Sequence, residues 1–348
     1  LVSDASGRYL ALPSGPKTTF STDYTRFAYA LGSNFNAPAP GAYSQADRTV
    51  VKGALALPKI TPGYYITPTV SFQSNTYNAT PYTAGSVPNA QGFTIPTFSL
   101  DSGLAFERDA AELKGFFGRD MLLTMEPRAF YVYTPFESQA QTPLFDTADA
   151  GFGVSQIFSE NTFVGNDRIA DNNKLTGGIT SRMIEANTGA ERASVTLAQK
   201  QQFTAQKVGL NGNIANPTTY SDTLGSASVR LLGNLSADMF GQYNTQLNRF
   251  VQTTLGGSWR PTPGRSLNFG YRNVWQPPIQ ASPFNPIATQ AATTTDQYNI
   301  SGQWPVTREL SLVGRWGYDA LTTKTLNTLI ALEYVRDCIV FRSAYSQL

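Results

Sequence analysis

The 348-residue chain contains no histidine, which removes Ser-His-Asp and Cys-His catalysis and His-based metal sites together. The remaining groups that could do chemistry are few. Asp109 and Glu112 form one acidic pair, and Asp167, Arg168 and Asp171 form a second charged group. Two carboxylates at such spacing could divide acid and base work between them, but salt links within a loop or charges on a wetted sheet face explain the same residues. Glu126 and Arg128 flank Pro127 and share one parity, so on a strand they project from one face. Cys338 is the only cysteine. It excludes a self-contained disulfide scaffold and leaves two readings, a buried thiol or a single bond to another chain or domain. No Gly-rich phosphate loop, cysteine pair or zinc-ligand spacing is present. With no nucleophile and base to pair, no cofactor is expected, and translocation or assembly is favoured over catalysis.

The elements that position these residues are strands. Over Met121–Tyr133, Leu123, Met125, Ala129, Tyr131 and Tyr133 share one parity while Thr124, Glu126 and Arg128 share the other. A hairpin is predicted from Asn173–Ile184 and Ala190–Lys200 across Asn187-Thr188-Gly189. Between them lies Thr134–Asn172, about 39 residues, longer than an unstructured connection in a compact domain. Its Phe145, Phe152, Ile157, Phe158, Phe163 and Ile169 alternate with Asp and Arg, which predicts a loop folded against a barrel mouth or into its lumen.

Charged residues make up 14 % of the chain, below the quarter or so of ordinary soluble domains, and aromatics 12 %. No run of some 18 apolar residues exists for a helical membrane span. A lipid-facing barrel needs only every second residue apolar, so the fold class expected is all-β, an antiparallel transmembrane outer-membrane barrel. About 16 strands are expected, from Leu1–Ala11 to Cys338–Tyr345. Their connections alternate short and long, placing Thr134–Asn172, Gln201–Asp222 and Trp275–Thr294 outside and Pro261–Arg265 and Pro305–Glu309 in the periplasm. Tyr64, Tyr65, Phe130, Tyr131, Trp259, Phe269, Tyr271, Trp304, Trp316 and Tyr318 fall near proposed strand ends, as an interfacial belt requires. Arg128, Arg182, Arg192, Arg230, Arg272 and Arg315 take the polar parity; each would cost roughly 2–4 kcal/mol if it faced lipid at the midplane. The net charge of +2, carried by scattered basic residues, gives no reason to expect nucleic acid. The opening Leu1-Val2-Ser3-Asp4 lacks a secretion segment and reads as the start of a mature fragment or a truncated chain.

Residues Leu122-Leu123-Thr124-Met125-Glu126-Pro127-Arg128-Ala129-Phe130-Tyr131-Val132-Tyr133-Thr134-Pro135-Phe136 resemble a strand of the outer-membrane lipopolysaccharide-assembly family LptD, also called organic solvent tolerance protein. The resemblance continues in order through Phe145-Asp146, Ser155-Gln156-Ile157-Phe158, Asp167-Arg168-Ile169-Ala170-Asp171-Asn172-Asn173, Thr180-Ser181-Arg182 and Leu332-Glu333-Tyr334-Val335-Arg336-Asp337-Cys338. It implies a 26-stranded barrel preceded by a periplasmic jellyroll, with an LptE-like lipoprotein plug in the lumen. It further implies a periplasmic lipopolysaccharide-transport bridge reaching the barrel through that jellyroll, with lipopolysaccharide and outer-membrane lipids as further partners. Residues 1–348 are then part of the barrel, with a long extracellular loop at about 134–172 and without the jellyroll. Glu126, Pro127, Arg128, Asp167, Arg168, Asp171, Asn173 and Cys338 are the structural and functional candidates. Asp337 stands where the resemblance implies the first of two adjacent cysteines, so Cys338 alone is expected to link barrel and jellyroll. A passive diffusion porin and a surface or adhesion β protein remain the alternatives; solubility without detergent favours the latter.

Overall fold

The alternation of apolar and polar residues produces strands throughout. The computed structural model describes residues 2–3, 9–10, 15–28, 43–81, 92–139, 142–151, 153–210, 212–216, 221–231, 234–276, 291–336 and 338–347. Seventeen strand segments close into one barrel. They make fifteen staves: β1 (Lys17–Ala28), β2 (Tyr43–Ala56), β3 (Tyr64–Pro81), β4 (Phe93–Leu104, resumed at Phe106–Asp109), β5 (Met121–Thr134), β6 (Asn172–Glu185), β7 (Glu191–Gln202), β8 (Thr223–Leu231), β9 (Leu235–Asn244), β10 (Arg249–Trp259), β11 (Ser266–Gln276), β12 (Thr293–Pro305), β13 (Leu310–Asp319), β14 (Lys324–Arg336) and β15 (Ile339–Gln347). The remaining segment, Lys59–Ile60, pairs with the start of β3.

Each stave pairs antiparallel with the next, as β5 does with β6 and β13 with β14. An odd number of antiparallel staves leaves β1 and β15 running the same way. Among the described residues, β1 has a residue-by-residue register only with β2, and β15 only with β14. Every residue of β15 is exposed, and β1 is exposed over most of its length. β1 and β15 adjoin in the closed barrel, and this parallel join is its most exposed seam. Of the expected first strand, Leu1–Ala11, only Val2–Ser3 and Tyr9–Leu10 are described; they pair with each other rather than with the barrel. The expected long connection Trp275–Thr294 falls largely outside the described residues, as do residues 29–42 and 82–91.

The outer face carries the apolar parity. Val70, Met125, Val195, Met239, Ile300 and Ile330 are all exposed large hydrophobics there. An apolar surface of this extent would be a liability in water and is the natural surface against acyl chains. Trp259 and Trp304, 6.0 Å apart, sit at the short-turn ends of β10 and β12, while Trp316 and Tyr318, 5.3 Å apart, lie toward the other end of β13. Two expected belt residues are corrected. Phe130 faces inward and is 6 % exposed beneath the inserted loop, and the Tyr65 hydroxyl donates inward to Asp101 at 3.2 Å.

Pro127 explains the break in β4. With no N–H to donate, it lies opposite the interruption between Gly103, paired with Arg128, and Phe106, paired with Met125. On the other side of β4 the pairing with β3 continues through the break, the Ala105 N–H donating to the Gly63 carbonyl at 2.8 Å.

Candidate functional site: a loop folded into the lumen

The connection between β5 and β6 turns back into the barrel. Ala148–Asp149 pairs with Phe163–Val164, and Gln156–Phe158 forms one 3-10 turn. Gly165, at φ +83°, permits the tight return; a side chain there would strike the Asp146 carbonyl.

Charge fixes this loop to the inner wall. Arg48 of β2 is 1 % exposed and donates to both carboxylate oxygens of Asp146, at 2.7 and 2.6 Å, and to Asp167 at 2.6 Å. Its guanidinium lies 4.9 Å over the Phe27 ring, which stacks on Phe145 of the loop at 4.4 Å. Asp167 is fully buried. Its carboxylate also accepts the Tyr77 hydroxyl at 3.0 Å and the backbone N–H groups of Phe145 and Asp146 at 2.6 and 2.9 Å. Lys52 donates to the Asn166 side-chain oxygen at 2.7 Å, adding a second wall cation that holds the loop beside Arg48. A buried ion pair is tolerated when further hydrogen bonds satisfy its lone pairs, as they do here, and its rupture leaves an uncompensated charge.

Apolar contacts extend the attachment. Ile157 packs with Ala198 of β7 and Leu224 of β8, with Val154, Phe158 and Phe240 around them. Phe158 seats over Gly178, where an added Cβ would come within 2.7 Å of its ring, and the Arg128 guanidinium lies 4.4 Å over the same ring. Phe93, Ile95 and Ile169 form another cluster. Each side chain buried this way contributes about 1.5–3 kcal/mol. Glu160 accepts Ser99 at 2.6 Å, and its carbonyl receives Lys174 at 3.2 Å and Asn172 at 3.0 Å.

Asp167, Arg168 and Asp171 therefore act in one folded unit, each differently. The Arg168 side chain donates to the carbonyls of Thr142, Pro143 and Asp167 and so caps loop backbone. Asp171 accepts the N–H groups of Lys207 and Val208 at 2.8–3.0 Å, tying the hairpin Gln206–Gly209 and Gly212–Asn216 to the loop, where Val208 packs with Phe163 and Ala170. Asn173, the second residue of β6, accepts the Tyr131 hydroxyl at 3.0 Å. Glu126, Pro127 and Arg128 lie lower, on a cavity of about 990 Å³ roofed by Val154, Ser155 and Phe158. Arg128 holds Asp101 through two hydrogen bonds at 2.9 and 2.7 Å, and Glu126 pairs with Arg182. Arg128 thus reaches the loop through Phe158, whereas Glu126 meets only wall residues among its hydrogen-bonding partners. Cys338 is apart from all of these, a free, exposed thiol in the turn between β14 and β15.

The hydrogen bonds from Arg48 hold the Asp146 carboxyl below the ordinary carboxylate range, toward about 2. A depressed acid contributes stability that is present above its unfolded pKa and lost as pH falls through the folded one. Protection of residues 142–151 against hydrogen exchange, relative to the intrinsic rate at each pH, is therefore expected to hold down to about pH 4 and to fall between about pH 4 and 2. Protection unchanged across that window would exclude this linkage.

A wide antiparallel barrel with an apolar outer band and an internally folded loop defines an outer-membrane β-barrel protein. The chain matches the family described as LPS transport system D over residues 4–316 and belongs to that family, LptD. It is 40 % identical over 348 residues to the LPS-assembly protein LptD of Cupriavidus pinatubonensis, covering 98 % of this chain and 41 % of that protein. The namesake of Ralstonia nicotianae is 40 % identical over 328 residues, covering 93 % and 38 %, and that of Burkholderia pseudomallei 37 % over 345 residues, covering 95 % and 42 %. The chain thus spans about two fifths of the length of these relatives. The family is one of transport components rather than catalysts.

Proposed function

We propose that this chain is part of a barrel that delivers lipopolysaccharide into the outer leaflet of the outer membrane. The observation that carries the reading is the loop 135–171 anchored inside the lumen, in a chain of this family. A passive porin needs an open aqueous path, whereas here the wall donates buried cations and apolar seats to hold a plug. Further round the barrel, the inward parity of β10 to β13 is polar, with Thr254, Asn268, Gln297, Ser301 and Arg315 among its residues. That wall suits a second, separately folded body such as the LptE-like lipoprotein. An odd number of additional staves, as a 26-strand total supplies, would restore an antiparallel ladder across the seam between β1 and β15. The missing length would include the jellyroll that receives lipopolysaccharide from the periplasmic bridge. Depleting the full-length protein should leave newly made lipopolysaccharide short of the cell surface; normal surface arrival would overturn the function.

Orientation follows the loop lengths. In the full-length protein with Cys338 replaced, single cysteines within Thr134–Asn172 should react with an impermeant reagent on intact cells, and those within Pro261–Arg265 only after the outer membrane is opened. The reverse pattern inverts the assignment.

Cys338 lies at the short-turn end, exposed and unhindered, where an oxidising periplasm allows it to pair with a cysteine of the preceding domain. Such a bond closes a long loop and would contribute roughly 4–5 kcal/mol in the ideal entropy model. Non-reducing peptide mapping of the full-length protein should recover Cys338 joined to a cysteine N-terminal to this segment. Complete alkylation without prior reduction would eliminate the bond.

A further inference from the structure

The outer wall carries a groove of about 350 Å³ where β4, β5, β6 and β7 meet. Its walls are Phe106, Met125, Ile179, Val195 and Leu197, all on the lipid-facing parity, and Ser181 forms its floor. Ser181 sits between Met125 and Val195 in register, so one small side chain among large ones creates the depression. Its hydroxyl donates to the Thr124 carbonyl at 2.9 Å and makes no demand on an occupant. The groove is thus apolar in effect although a serine lies at its base.

Arg108 stands at the lower edge, paired in register with Leu123 and therefore also facing outward. Its partner Glu112, at 2.9 Å, is more than half exposed, as is Arg108 itself, and such a surface pair holds an arginine only weakly. An outward arginine is costly at the midplane and nearly free at the membrane interface, so Arg108 marks headgroup level. The groove runs from that level into the hydrocarbon, where only lipid is available to fill it.

The geometry points to a bound phospholipid, its phosphate on Arg108 and one acyl chain in the groove over Ser181. The lipid is a phospholipid rather than lipopolysaccharide because the groove opens at the short-turn end, which the proposed orientation places in the periplasm-facing leaflet. It is a lateral site, separate from the lumen and its loop. A lipid held here would brace the interrupted edge of β4 at Ala105, beside Pro127.

The test extracts the full-length protein from native membrane, exchanges it through mild detergent and identifies retained lipid by native mass spectrometry. The wild type should keep a phospholipid. Ser181→Phe, which fills the groove, and Arg108→Glu, which reverses the phosphate contact, should each lower its retention about tenfold. Ala237→Phe, an exposed position on the same outer face away from the groove, should leave retention unchanged. Heat-modifiable migration of each variant shows that the barrel has assembled; if Ser181→Phe fails to assemble, Arg108→Glu decides alone. Equal retention by the wild type and Arg108→Glu, or lipopolysaccharide as the retained species, overturns the proposal. Cysteine labelling of Pro261–Arg265 reports the orientation independently, so an inverted barrel is distinguished from an empty groove.

Discussion

Arg48→Ala in the full-length protein is expected to release the lumen loop from the wall while leaving the barrel assembled. The guanidinium is the shared partner of Asp146 and Asp167, and Asp167 has no exposed surface from which water could replace it. Removing one member of such a buried cluster costs about 3–5 kcal/mol, because the remaining charge is left unpaired in a poorly solvated site. The loop has local apolar anchors, so the loss should appear as local opening rather than global unfolding. Hydrogen exchange across residues 142–171 should accelerate by about a hundredfold or more. Asp167→Asn in the Arg48→Ala background should recover part of that protection, since it removes the stranded charge. Unchanged exchange in Arg48→Ala would show that the ion cluster does not hold the loop.

Deleting Phe145–Ile169 should have the larger effect on cells. The deletion removes Arg48's loop partners, the Ile157 and Phe163 contacts and the carbonyls that Lys174 and Thr176 use. The outer membrane should then admit large hydrophilic antibiotics, with a several-fold fall in the inhibitory concentration, and assembly of the full-length protein should fall. Phe158→Ser separates the two outcomes, because it opens the seat over Gly178 without removing the ion cluster. Normal barrier function in the deletion strain, with mobile backbone signals through the wild-type loop, would contradict a plug.

The barrel was legible in the sequence because strand parity is local. Thr124, Glu126 and Arg128 face the lumen and Leu123 and Met125 face outward, as their spacing requires. The hairpin across Gly189, at φ +69°, was legible for the same reason. The inward folding of the long loop could be read from its rings, which gain nothing from water; Phe152, one of them, lies outside the described residues. Arg48 was not legible as an anchor. Its partners on the loop lie 98 and 119 residues away. An isolated arginine on a wet parity gives no sign of which distant acids will meet it. Phe130 and Tyr65 were misplaced because an aromatic ring suits a membrane interface and the underside of a plug equally well. Cys338 is a free, exposed thiol, and the strand pattern around it assigns it no role.

The most direct test of lipopolysaccharide passage uses a photoreactive amino acid at Thr180, an inward position of β6 on the cavity below the loop. In cells carrying the full-length protein, irradiation during active lipopolysaccharide synthesis should give a covalent adduct at Thr180, and the adduct should disappear when lipopolysaccharide supply to the periplasm is blocked. An otherwise identical probe at outward-facing Ile300 reports nonspecific capture from the surrounding membrane. Supply-dependent capture at Thr180 alone is the result the account predicts; no adduct at Thr180, in a strain whose lipopolysaccharide still reaches the surface, would contradict it.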